Sequence, residues 1–294
     1  MHPESIDRPN SPEVIPFLDP DSRTYSYVVI DPDSPKCAVV DPVLDFDYAS
    51  GRTATRSADA IVECINGRNL ALVWLIETHV HADHLSAAPY IQSILGGRIG
   101  IGGNIDRVQH TFAEIFNEGA PFPTDGSQFD HLFDDGENYE IGSLLGKSIC
   151  TPGHTPACMT HIIGDAAFVG DTIFMPDGGT ARADFPGGDA GKLYDSIQKI
   201  LSLPDSTRIF VCHDYSPGGR EPACETTVAA QKAENIHVGD GTSREGFVTL
   251  RCERDASLDM PRLIIPSVQV NMRAGRIPRD RDGRQMLKVP VDTF

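Results

Sequence analysis

Apolar residues along this 294-residue chain fall into short blocks separated by glycine, proline and acidic turns, which predicts an α/β protein built from short strands. The most apolar block, Leu70-Ala71-Leu72-Val73-Trp74-Leu75-Ile76, is too hydrophobic for anything but a buried strand. Residues 25–30 and 37–40 read as a hairpin turning through Asp31-Pro32-Asp33-Ser34-Pro35, and further strands are expected at 98–101, 144–150, 166–169 and 208–212. Helical spacing covers 57–66, with Ser57 as its N-cap, then 85–95, 104–116, a stretch near 189–202, 221–236 and 243–254. Residues 117–137, rich in Gly, Pro and Asp, read as loop, and the chain beyond Pro261 as irregular. No Ser/Gly linker, low-complexity run or internal repeat interrupts this pattern. Residues 1–294 are therefore expected to form one domain, with 221–294 as a carboxyl-terminal extension packed on it.

Chemistry concentrates where the strands stop. His79, His81, Asp83 and His84 crowd into the turn that follows the buried strand, at H-x-H-x-D-H spacing. Imidazole and carboxylate together suit borderline divalent metals such as zinc, iron or manganese. His154 follows the 144–150 strand through a Pro152-Gly153 bend; Asp171 follows the 166–169 strand through Gly170; His213, Asp214 and Tyr215 follow the 208–212 strand. One rim can collect them all. Asp171 alone would be an ordinary turn aspartate, but in this company it becomes a bridging or third ligand. His2, His131 and His237 read as solvent-facing loop residues.

Charge narrows the partners. With 25 basic and 42 acidic side chains the net charge is −17, which weighs against nucleic acid and anionic membranes. Residues 1–20 are polar and proline-rich, without the apolar core of a secretory signal, and no stretch is long enough to span a bilayer. Seven cysteines without a C-x-x-C pair fit a reduced compartment, so a cytoplasmic location is expected; Cys150, Cys158 and Cys212 read as small buried hydrophobes. An anionic substrate entering such a protein needs local positive charge.

The ligand order resembles the metallo-β-lactamase superfamily, and within it the persulfide dioxygenase (sulfur dioxygenase, or ethylmalonic-encephalopathy protein) family. The likeness runs from Glu77-Thr78-His79 to His84, through Thr151-Pro152-Gly153-His154-Thr155 with Cys158, Gly170-Asp171, Arg182-Ala183-Asp184-Phe185 and His213-Asp214-Tyr215, to Val270-Asn271-Met272-Arg273-Ala274-Gly275. Residues 175–181 depart from it, forming a longer segment. The resemblance implies an αββα sandwich of two mixed sheets flanked by helices, with metal between the sheet edges.

Two chemistries suit the ligands. If His79, His81 and His154 hold one ion and Asp83, His84 and His213 another, with Asp171 bridging, a metal-activated water would make the protein a thiolester hydrolase of the glyoxalase II kind. The family resemblance instead implies one Fe(2+) per chain on His79, His154 and Asp171, a facial triad with open positions. His81, Asp83, His84 and His213 then support the ligands from outside. That reading implies oxidation of glutathione persulfide by O2 and water to glutathione and sulfite, with His213, Asp214 and Tyr215 beside the open face. Arg182, in the loop after Asp171, is the expected anchor for a substrate carboxylate, with pairing to Asp184 as its alternative duty; the resemblance adds Arg273, and Tyr215 reaches toward substrate. A homodimer is the candidate assembly. The histidine at position 81 argues against flavodiiron oxygen reductases, the intact ligand set against a degenerate scaffold, and the length of the tail against the helical domain of glyoxalase II.

Overall fold

The computed structural model describes residues 11–119, 122–239 and 241–293. In its first half β1 (Glu13–Leu18), β2 (Tyr25–Ile30) and β3 (Lys36–Val40) form an antiparallel meander. A small sheet of β4 (Val43–Asp47), β5 (Arg52–Ala54) and the later β7 (Leu85–Ser86) lies beyond it, with α1 (Arg56–Gly67) and β6 (Ala71–Ile76) between. Then come α2 (Ala88–Leu95), β8 (Arg98–Gly102), α3 (Ile105–Ile115) and β9 (His131–Phe133). The second half runs β10 (Asn138–Ile141), β11 (Leu144–Cys150), β12 (Met159–Ile163), β13 (Ala166–Phe168), α4 (Ala190–Leu201), β14 (Arg208–Phe210), β15 (Glu225–Thr227), α5 (Val228–Glu234), α6 (Arg244–Asp255) and α7 (Ile264–Asn271).

Two six-stranded sheets result, ordered β1-β2-β3-β6-β8-β9 and β10-β11-β12-β13-β14-β15. Side chains alternate along a strand, so β2 serves two cores at once. Tyr25, Tyr27 and Val29 point between the sheets, against Tyr139, Ile141, Phe168 and Phe210. Val28 and Ile30 point the other way, into a core shared with Ile61 and Ile65 of α1, Ile91 of α2 and Phe112 of α3. Behind the second sheet, Ala167, Ile209 and Val211 meet Ile197 and Ile200 of α4 and Phe247 of α6. Burial on both faces is why these strands read as continuous apolar runs, and each such side chain contributes roughly 1.5–3 kcal/mol. The architecture is the expected αββα sandwich.

Several local expectations change. Strand β1 was not expected: its proline-containing sequence suits an edge strand, where Pro16 breaks no ladder toward a further neighbour. Helix α1 starts at Arg56 behind Thr55, and Ser57 bonds instead to Asp45 through its N–H (3.1 Å) and hydroxyl (3.0 Å). The 85–95 helix yields its first residues to β7, the 117–137 loop contains β9, and 221–236 divides into β15 and the shorter α5. Beyond Pro261 the chain forms α7, with Pro266 in the first turn, where a missing N–H costs nothing. The tail is packed on both halves: Ile264, Val268 and Met272 join the core of the first sheet, Phe247 that of the second. No helix among the described residues is long and apolar enough to cross a membrane.

Candidate metal centre

Strand direction assembles the site. β3 and β6 run parallel, as do β13 and β14, so the residues just past their carboxyl ends arrive at one edge of the sandwich. There Tyr25 N–H donates to the carbonyl of Cys212 (2.7 Å), stitching the first sheet to the second beside His213. The bend at Gly153 needs glycine: its φ is +148°, and a Cβ there would lie 2.3 Å from the α-carbon of Leu193 in α4. Helix α4 thus closes on the His154 turn, with Asp189 capping it through a bond from Lys192 N–H (3.0 Å).

One ligand atom each from His79, His154 and Asp171 lie within 4.8 Å of one another, all buried. Asp171 Oδ2 is 3.6 Å from His154 Nε2 and 4.0 Å from His79 Nε2. The outer nitrogens are already held: His154 Nδ1 lies 2.8 Å from the carbonyl of Arg182 and His79 Nδ1 3.0 Å from the hydroxyl of Thr78. His79 Nε2 and Asp171 Oδ1 are buried without a hydrogen-bond partner. Unpartnered buried polar atoms are costly, and a shared cation relieves that cost. The donor set fits a metal ion. Burial pushes His79 well below the ordinary imidazole range, with His81, His154, His213 and His84 adding to it; burial lowers His154 too. Neutral imidazole is the form that binds metal.

The other expected residues surround this trio. His213 Nε2 is 3.3 Å from both Asp83 and Asp171, and Thr24 places its hydroxyl 3.2 Å from His84 Nδ1 and 3.4 Å from His213 Nδ1. His81 Nε2 is 2.9 Å from Asp41 and 3.5 Å from Glu77; burial opposes its charge, but those two carboxylates outweigh it and hold His81 well above the usual range. His81 Nδ1 and His84 Nε2, and His213 Nε2 beside its two carboxylates, are also buried without a hydrogen-bond partner.

Asp41 and Thr24 were missed from sequence. Asp41 follows the carboxyl end of β3, the position that marks the other ligands, and also takes Thr78 by N–H (2.8 Å) and hydroxyl (2.9 Å). Asn271 explains the late motif: its amide donates to the carbonyls of His81 (2.9 Å) and His84 (2.7 Å) and accepts from Ser86 N–H (2.8 Å). It braces the ligand turn.

A cavity of about 500 Å³ opens onto His154 and Asp171 of the trio, and Asp83, Arg182, Phe185 and Tyr215 also line it. Tyr215 stacks on His213 at 5.8 Å between ring centres. Asp214 is not among the lining residues; its carboxylate receives Arg220, Ser216 N–H and Ala223 N–H, bracing the loop that carries Tyr215. Arg182 borders the cavity but is gripped by both oxygens of Asp184, at 2.6 and 2.7 Å. Arg273 is not on the lining either: it pairs with buried Glu118 (2.7 Å) and covers Phe122 at 4.3 Å. His237 is buried, not solvent-facing, accepting from Thr180 N–H at 3.0 Å; His131 lies in β9 beside Glu137 (2.7 Å); His2 lies outside the described residues.

The chain belongs to the metallo-β-lactamase superfamily, whose family profile matches residues 20–213. Its homologues include persulfide dioxygenases: the human mitochondrial persulfide dioxygenase ETHE1 is 30% identical over 268 residues, covering 88% of this chain and 87% of that protein. Stronger identity is found to a probable metallo-hydrolase of Burkholderia pseudomallei (52%, over 95% of this chain and 98% of the relative). A protein called glyoxylase B2 from Dictyostelium discoideum is 47% identical over 95% of this chain and 96% of its own length. Among solved structures, ETHE1 from Myxococcus xanthus superposes with a TM-score of 0.72 at 28% identity, covering 90% of this chain and all of that one (100%).

Proposed function

We propose that this protein is a persulfide dioxygenase, converting glutathione persulfide, O2 and water to glutathione, sulfite and two protons. The observation that carries the reading is the buried trio of His79, His154 and Asp171, whose inward atoms converge while their outer nitrogens are held by Arg182 and Thr78. These three residues would hold one iron ion. Iron(II), when bound, would supply the open positions and relay electrons from the persulfide sulfur, which is oxidised to sulfite, to O2. The homology to persulfide dioxygenases supports the substrate class.

The chain's own groups do the rest. Phe185, edge-on to His154 at 5.0 Å, and Phe174, edge-on to Tyr215 at 6.0 Å, keep water from the inner cavity. His213 Nε2, between Asp83 and Asp171, is placed to hold a proton at the reacting end. Tyr215 orients the substrate from above His213.

A dinuclear thiolester hydrolase is the second reading. Nδ1 of His81 and Nε2 of His84 and His213, buried without a hydrogen bond, favour it, since they offer a second donor set. Metal analysis of anaerobically purified protein, with oxygen-electrode traces on glutathione persulfide and hydrolysis assays on S-lactoylglutathione, decides between them. Near-equimolar iron with O2 uptake and sulfite release is the expected result. Two metal ions per chain with rapid S-lactoylglutathione hydrolysis would replace the dioxygenase by the hydrolase.

A further inference from the structure

Two arginines at the mouth of the cavity, Arg254 and Arg262, have side chains that take no ion pair or hydrogen bond among the described residues. Arg251 of α6 differs. It is only 1% exposed, is paired with Asp255 one turn further along the helix, and donates to the carbonyl of Thr180 at 3.2 Å. Asp255, 4% exposed, divides its carboxylate: Oδ1 takes Arg251 and Oδ2 accepts the N–H of Ala183 at 2.9 Å. Helix α6 therefore grips the 180–183 loop at two backbone groups, while Phe247 seats the helix in the core behind the second sheet.

The N–H of Ala183 belongs to the same peptide unit as the carbonyl of Arg182. That carbonyl lies 2.8 Å from His154 Nδ1 and accepts its proton. The described residues contain no cis peptide bond, so the N–H and C=O of this unit point in opposite directions. One planar amide thus joins a buried carboxylate at one end to a buried imidazole at the other. Amide resonance couples the two ends. A hydrogen bond from the N–H to an anion gathers negative charge on the carbonyl oxygen, which becomes a stronger acceptor, and in a dry interior the effect is not screened.

We propose that Asp255 is a positioning residue of the metal centre, acting on His154 through the Arg182–Ala183 peptide. A carboxylate bonded directly to a ligating histidine fixes its tautomer and raises its basicity. Here one amide stands between the two and passes the effect on. The stronger acceptor at Nδ1 makes Nε2, which faces Asp171, a stronger donor to a metal ion. Arg251 keeps the carboxylate turned to the loop, because the Thr180 carbonyl holds the guanidinium from another side. Helix α6 supplies none of the expected ligands, yet it sets the donor strength of one of them. The assignment rests on the reading of His154 as a metal ligand and on nothing about the substrate or the reaction.

Full-length protein loaded with zinc, a diamagnetic probe, tests the relay apart from turnover. Asp255→Asn keeps an oxygen for the Ala183 N–H but removes the charge. With isotope-labelled histidine, the Nδ1–H proton resonance of His154 should move upfield, and the zinc Kd from chelator competition should rise by about 10-fold. That variant leaves Arg251 buried without an anion, so Arg251→Gln combined with Asp255→Asn is the second arm. Two amides then replace the ion pair, no charge is stranded, and the same two changes are expected in the folded protein. An unmoved Nδ1–H resonance in the double variant would overturn the relay, whatever the zinc affinity, since packing alone would then explain Asp255. A shifted resonance with an unchanged Kd would overturn its reach to the ion. His154→Ala that binds zinc as tightly as the unaltered protein would instead remove His154 from the ligands, and the proposal with it.

Discussion

His154 Nδ1 lies 2.8 Å from the carbonyl oxygen of Arg182. A carbonyl can only accept, so this nitrogen carries the proton and the Nε2 lone pair faces Asp171. The Arg182 backbone is steadied in turn, because its side chain is clamped by Asp184. Replacing Asp184 by Ala is expected to free that arginine, loosen the His154 ring and weaken metal binding by roughly 10- to 100-fold. Competition with a chromogenic chelator measures it. Metal affinity equal to that of the unaltered protein would show that the α4 contact at Gly153 holds the turn unaided.

His81 separates the mononuclear and dinuclear arrangements. With its Nε2 already on Asp41, His81→Ala should keep much of its metal and lose activity by about 10- to 100-fold, whereas His79→Ala should lose the metal. Elemental analysis of both variants is the check. Equal metal loss would place His81 in the ligand set.

Asn271 serves three backbone groups of the ligand turn. Asn271→Ala leaves them buried and unpartnered, so a loss of about 3 kcal/mol or more is expected in urea unfolding. Asn271→Asp should be worse, since a carboxylate cannot donate to two carbonyls. An unchanged unfolding midpoint would mean that strand β6 and helix α2 hold the turn by themselves.

His237 gives a pH signature remote from the metal. Burial, with Arg251 and Arg254 nearby, pushes its pKa down to about 4 from an ordinary 6.5. The unfolded chain therefore takes up a proton that the folded chain refuses. Stability is full above pH 6.5 and falls as pH drops from 6.5 toward 4, by on the order of 2–3 kcal/mol. In His237→Gln this part of the pH dependence should vanish. Parallel unfolding curves for the two proteins across that range would rule it out.

Much of the centre was legible in the sequence because each ligand follows an apolar strand. The run 70–76 announces where His79 must emerge, and the Pro152-Gly153 bend announces His154. The same rule reaches Asp41, which follows Val40. Short or edge elements were not legible: β9 is a brief strand in a polar stretch, and β1 contains a proline. Helix α7 lacks a polar face, burying Ile264, Val268 and Gln269 together, so its period is hidden. The mouth of the cavity depends on α6 and α7 folding back over the sheet edge. No local pattern distinguishes Arg254 and Arg262, which stay free, from Arg182 and Arg273, which become paired.

The brace supplied by Asn271 also sets an order of events during synthesis. A ribosome that has released residue 213 has delivered every candidate ligand, yet the carbonyls of His81 and His84 still lack the amide that fixes them. Nearly sixty more residues must emerge before helix α7 can dock. A nascent chain thus exposes histidines and carboxylates in a loose turn, able to catch whichever metal is abundant, well before the turn acquires its final shape. Correct metallation becomes a matter of timing as well as affinity, and the last helix acts as the clasp that closes the choice.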